Sequence, residues 1–262
     1  MHKWNGPLSS GRGFPEVGET RDFWTYDLSV MPPENLTVPA TCRGVGDRSA
    51  VWVADNVWEV DVNQADIDVL MQNLEESTSG NPDQGIVETD IDYFGMPPKF
   101  SESDPELSLL IYPIPSYGGQ AFDGFFRRED LAPFQSACSY NPSIYCSNEL
   151  GMIHLNSQNI SSDYMLGVVA HEFEHLIHFA YDQYEESWVD ESLAELAMLI
   201  TGFGDPSWQQ SYLDDPSVNL IDLAHVHYGA CLHFGAYLSD ILGKDGIKSL
   251  INDTACGVDG IV

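Results

Sequence analysis

The chain has 262 residues, 43% of them hydrophobic, enough for one large domain or two intimate ones around a substantial core. Acidic residues outnumber basic ones 41 to 10, and the formal net charge of -31 argues against nucleic acid and anionic lipid as partners. Nothing approaches the roughly 18 consecutive apolar residues of a membrane-spanning helix, so no membrane insertion is expected.

Residues 1–13 are rich in Gly and Ser and contain no apolar signal-peptide core, so residues 1–20 read as a flexible lead-in. Aromatic and β-branched runs at 23–28 and 49–54 predict strands, with Pro32, Pro33 and Pro39 interrupting regular structure between them. A helix is expected from Gln64 to about Glu76: Asn63 suits the N-cap, Asp66 the first turn, and Ile67, Leu70, Met71 and Leu74 form one stripe. Residues 81–103 read as a loop by their Pro and Gly content. Within them Glu88, Asp90 and Asp92 alternate as candidate calcium ligands, though without the spacing of an EF-hand.

Residues 107–112 predict a buried strand. The glycines at 116–124 make no phosphate loop, because that stretch has no lysine. Cys138 and Cys146 bracket a short loop with Asn141-Pro142 and suit a local disulfide, Cys231 and Cys256 are positioned to clip the last helices, and Cys42 is left over. This usage leans towards an oxidising compartment, hence a secreted or cell-surface location, although no signal peptide precedes it. A further strand is expected at 151–156, and His154 on it either faces a cleft or is structural.

The chain is organised around His171-Glu172-Phe173-Glu174-His175, a His-Glu-x-x-His sequence in an apolar helical segment with Ser161, Ser162 and Asp163 as N-cap candidates. Residues four apart share a helix face, so His171 and His175 can present two imidazoles to one ion with Glu172 beside it. A catalytic zinc usually takes three protein ligands and keeps one position open. The third is expected on a second helix, which Ser187 would cap and whose Ala194 and Ala197 allow close packing: Glu191 is well placed to ligate. Glu195, one turn later, is placed to accept a hydrogen bond from a ligating histidine. His178 shares the face of His171 and His175 but lies about 10 Å along the axis from His171, too far to ligate with both, and reads as a packed or supporting histidine. Glu174 reads as a solvated helix residue. A metzincin site fails, because its glycine and third histidine would fall at His178 and Tyr181. After breaks near Gly202, Pro206 and Pro216, helical periodicity returns from Ala224 to Leu242, and Gly243 to Gly246 make a turn into a final short helix.

The segments HEFEHLIHF and ESWVDESLAELA resemble the hyicolysin-type zinc peptidases of the gluzincin group, whose wider relatives include thermolysin. The resemblance implies zinc held by His171, His175 and Glu191, with Glu195 as outer-shell acid. It implies an α+β, zincin-like fold: a mixed or antiparallel N-terminal sheet ending in the active-site helix over residues 21–182, and a mainly helical part over 183–262, together one catalytic domain. His178 departs from the pattern of many relatives. In thermolysin-like folds an edge strand lines the cleft and pairs with substrate backbone, a role expected here of residues 151–156. A zinc hydrolase also benefits from a neutral donor near the developing oxyanion; resemblance to a Tyr-Gly-Ala segment favours Tyr228, with His227 second. The function expected is zinc-dependent endopeptidase on protein or peptide substrates with Glu172 as general base. A zinc hydrolase of non-peptide substrates and a catalytically silent zinc module for adhesion or assembly are the alternatives.

Overall fold

In the first strand, β1 (Thr20–Asp27), Phe23 and Thr25 are buried while Asp22 is exposed, the alternation of a strand with one covered face. It pairs antiparallel with β2 (Glu34–Val45), which pairs antiparallel with β3 (Ser49–Ala54). Every residue of β3 and of β4 (Leu107–Tyr112) is buried, as expected of central parallel strands covered on both faces. With β5 (Gly124–Phe126) and β6 (Met152–Asn156) they complete a six-stranded mixed sheet of order β1-β2-β3-β4-β6-β5. The computed structural model describes residues 13–221 and 227–261. Gly18 and Glu19, inside the expected lead-in, already exchange backbone hydrogen bonds with Cys42.

Two helices cross between β3 and β4. The first, α1 (Gln64–Glu75), has the expected N-cap: Asn63 accepts from Ala65 N–H, and Asp66 reaches back to Asn63 N–H. Its last residue, Glu75, accepts from the Ser49 N–H at 2.8 Å and so ties the helix to the start of β3. The second, α2 (Ile86–Phe94), replaces the expected loop. Ile86, Val87, Asp90 and Phe94 turn into the core, between flanking Gly85 and Gly95. Helical geometry leaves Glu88 exposed and Asp92 half-buried but sinks Asp90 into the core, so these three do not gather as calcium ligands.

Two other expectations need correction. Pro39 does not interrupt β2; its carbonyl accepts from Asp55 N–H just beyond the Ala40–Ala54 pairing. Its nitrogen faces that same side, where the ladder has ended and no donor is needed. Cys138 and Cys146 form the expected disulfide, but Cys231 and Cys256 are both free, as is Cys42.

The remaining helices are α3 (Asp163–Phe179), α4 (Ser187–Ile200), α5 (Pro206–Asp214), α6 (Tyr228–Ile251) and α7 (Val258–Ile261). Gly243, at φ 63°, breaks α6 at the expected turn. Residues 222–226, where the helix expected over Ala224 to Leu242 begins, lie outside the described residues. The α3 helix packs on β5 and β6 and against α4, which is backed in turn by α6. One core runs from Phe23 of β1 to Ile251 of α6. The fold is thus mixed α+β, and among the described residues no helix is long and apolar enough to cross a membrane.

Candidate metal centre

The Ser162 hydroxyl accepts from Met165 N–H and starts α3. Val169, Ala170, Phe173, Leu176 and Ile177 are buried, whereas His171 and His175 are partly exposed. The chain reverses after Phe179 and returns as α4, whose N-cap is Glu186 rather than Ser187; the Glu186 side chain takes the Trp188 indole N–H at 2.6 Å instead of capping the helix.

This pairing brings three ligand atoms together. His171 Nε2 lies 3.2 Å from His175 Nε2 and 3.3 Å from Glu191 Oε2, and His175 Nε2 lies 4.0 Å from Glu191 Oε2. Four-coordinate bonds of about 2.0–2.2 Å separate neighbouring ligand atoms by roughly 3.3 Å, so the triangle fits a small tetrahedral cation. Glu191 Oε2 is buried without a hydrogen-bond partner, and lone pairs from two imidazoles and a carboxylate are a suitable donor set for a divalent ion. On the far side of His171, Nδ1 lies 3.6 Å from Glu195 Oε1, where an outer-shell acid was expected. Burial pushes the Glu195 carboxyl up to about 7.

Glu172 is buried beside this triangle. Its Oε2 accepts the Phe126 N–H at 2.9 Å, a contact between the base candidate and the outer edge of β5. Burial raises its pKa above the ordinary carboxylate value, against the opposing pull of His171 and His175. The Tyr228 ring stands 6.4 Å from that of His171, and its phenol is held protonated first by burial and then by Glu191 and Glu172. His227 is buried and lines neither of the two cavities at the site.

Glu174 is not solvated: it is fully buried, neither carboxyl oxygen has a hydrogen-bond partner, and burial pushes it up to about 7. It turns inward because α2 and α4 flank this side of α3, which sequence periodicity alone does not reveal. His178 is packed here as expected, its Nδ1 3.1 Å from Asp190 Oδ1 and 3.5 Å from Glu174 Oε1. Asp190 Oδ2 lies 3.2 Å from His175 Nδ1. Burial pushes the Asp190 carboxyl up, but the two imidazoles outweigh it and hold it well below the carboxylate range.

A cavity of about 510 Å³ opens over the triangle, lined by His171, Glu172, His175, Glu191, Phe126 and Tyr228 among others. A smaller one of about 220 Å³ adjoins it, with Phe122, Val168, Met198 and Trp208 giving it an apolar wall. The strand at the cleft is β5, not β6. β6 is internal, between β4 and β5, and its His154 is fully buried with Nε2 2.8 Å from Asp130 Oδ2. Burial lowers the His154 pKa despite that partner, and the ring stacks on Phe125 at 4.9 Å. Asp130 also pairs with the buried Arg127 at 3.0 Å and takes the Asn148 amide at 2.7 Å, a network beneath β5 that sequence spacing did not signal. Asn156 N–H bonds the Asp123 carbonyl, so alternation turns the backbone groups of Gly124 and Phe126 outward, towards the cleft.

No protein-family model matches the chain, and a search of curated proteins returns no match.

Proposed function

We propose that the protein is a zinc-dependent endopeptidase with a zincin-like catalytic domain, similar to the hyicolysin-type gluzincins. One observation carries this reading: His171, His175 and Glu191 converge on one point beside a buried Glu172, under the outward edge of a β-strand. His171, His175 and Glu191 would hold the ion, and zinc supplies Lewis acidity there, lowering the pKa of water and polarising a carbonyl.

The chain's own groups supply the rest. Phe126 N–H occupies Glu172 Oε2, which leaves Oε1 to take a proton from the attacking water and pass it to the leaving amine. In the metal-free protein burial raises the Glu172 pKa, the direction that suits a general base. Tyr228, protonated and lining the cleft, donates its hydroxyl proton to the carbonyl oxygen as negative charge develops there. The outward N–H and C=O of Gly124 and the carbonyl of Phe126, whose N–H is already given to Glu172, favour an extended peptide over a non-peptide substrate, because strand addition satisfies backbone whatever the side chains. The Cys138–Cys146 disulfide supports an oxidising, extracellular setting.

The test is Glu172→Gln. It should keep stoichiometric zinc and lose chelator-sensitive digestion of unfolded casein by about 10²–10⁴-fold. A variant that digests casein at the wild-type rate refutes the proposal, and hydrolysis of esters but not casein by the wild type moves the activity to another substrate class.

A further inference from the structure

A ligating imidazole has two nitrogens, and the one turned away from the ion sets the ring's tautomer and tilt. For His171 that second nitrogen faces Glu195. For His175 it faces Asp190, the neighbour of Glu191 on α4, with Nδ1 3.2 Å from Oδ2. The other oxygen of Asp190 is engaged as well, lying 3.1 Å from Nδ1 of His178, which is 2% exposed. Both carboxylate oxygens therefore approach imidazole nitrogens of α3, and Glu174 Oε1 approaches the same His178 nitrogen at 3.5 Å; neither ring nitrogen has an aligned hydrogen bond, and these acids are the acceptors beside them.

We propose that Asp190, braced by His178, is the positioning residue that fixes the ring of His175 for metal binding. This rests on the zinc reading above. It gives a task to the third histidine of the helix: too far along the axis to ligate beside His171, it grips the carboxylate that orients a ligand. Asp190 contributes an acceptor for the Nδ1 proton that a neutral imidazole carries when Nε2 offers its lone pair. His178 contributes a donor that keeps the carboxylate from rotating away towards water, since the Asp190 side chain is 36% exposed. The two α4 acids Asp190 and Glu195 thus each serve one ligating histidine of α3.

Zinc affinity, measured by competition with a chromophoric chelator, and the absorption spectrum of the cobalt-substituted protein test this on wild type, Asp190→Ala, His178→Ala, His178→Asn and the double alanine variant. Asp190→Ala should weaken zinc binding about 10–100-fold and alter the cobalt bands. His178→Ala should weaken it less, and should add nothing when Asp190 is already alanine. His178→Asn, whose amide nitrogen reaches towards the place of Nδ1, should restore near-wild-type affinity, and it carries the test if the alanine variant fails to fold. Unchanged affinity in Asp190→Ala, or additive losses in the double variant, overturns the inference and leaves the zinc reading standing. Two ions per wild-type chain also overturns it, because Glu174, His175 and Asp190 have ligand atoms within 4.8 Å of one another and would then be a site of their own. A wild type that binds no zinc overturns both.

Discussion

Gly235 of α6 lies where that helix crosses α4, and replacing it with alanine probes how tightly Glu191, the proposed third ligand, is held. A Cβ there would stand 3.1 Å from the carbonyl carbon of Ser192, nearer still to its oxygen, and 3.3 Å from Leu196 Cβ. Carbon contacts are ordinarily about 3.5–4.0 Å, and the limiting clash is with the Ser192 oxygen, about an ångström inside van der Waals contact, so the helices must part by about 1 Å. Overpacking of this kind costs about 1–3 kcal/mol, and the better helix propensity of alanine returns up to about 1 kcal/mol. With a backbone oxygen as the limiting contact the cost lies at the upper end, so the expected net loss is about 2 kcal/mol, or a fall in Tm of about 4–8 °C for a chain of this size. Ser192 adjoins Glu191, so the same displacement opens the ligand triangle, and zinc affinity should fall together with Tm. Calorimetry of the metal-free protein and chelator competition measure the two. A Tm equal to or above that of the wild type would show that this crossing tolerates a methyl group, and the reasoning from close approach would be wrong.

Two further outcomes are expected. Tyr228→Phe should lower kcat on a peptide substrate by about 10²–10³ while zinc content stays stoichiometric; an unchanged kcat removes Tyr228 from the chemistry. Asp90 is fully buried with both oxygens unpartnered, and burial followed by the nearby Glu174 raises its pKa well above 3.8. The unfolded chain therefore releases this proton at a lower pH than the folded one, so its effect is a loss of stability as pH rises from about 4 towards the folded value, at most about 1.4 kcal/mol per pH unit. Asp90→Asn removes that loss, so denaturant melts should show the variant gaining on the wild type as pH rises; parallel pH profiles refute it.

Local signals were enough for some elements. Asn63, Asp66 and the Ile67, Leu70, Leu74 stripe announce α1, and the all-apolar run from Leu107 to Tyr112 announces β4, because capping and periodicity are properties of neighbouring residues. The spacing of His171, His175, Glu191 and Glu195 likewise anticipates which side chains meet, since helical phase fixes it once two helices pack. Other features depend on what lies across the fold. α2 hides behind Pro and Gly that flank it rather than occupy it. β5 is three residues long, too short for any alternation, and it becomes the sheet's outer strand only through its pairing with β6. Glu174 and Asp190 read as ordinary helix acids until packing buries the first and sets the second against His178.

The bond from Phe126 N–H to Glu172 has a mechanical consequence. The ribbon that would grip a polypeptide and the carboxylate that would shuttle its proton are fastened to each other, so they move as one jaw. A change that loosens this margin of the sheet, even one remote from the ion, should spoil alignment and proton transfer in the same stroke.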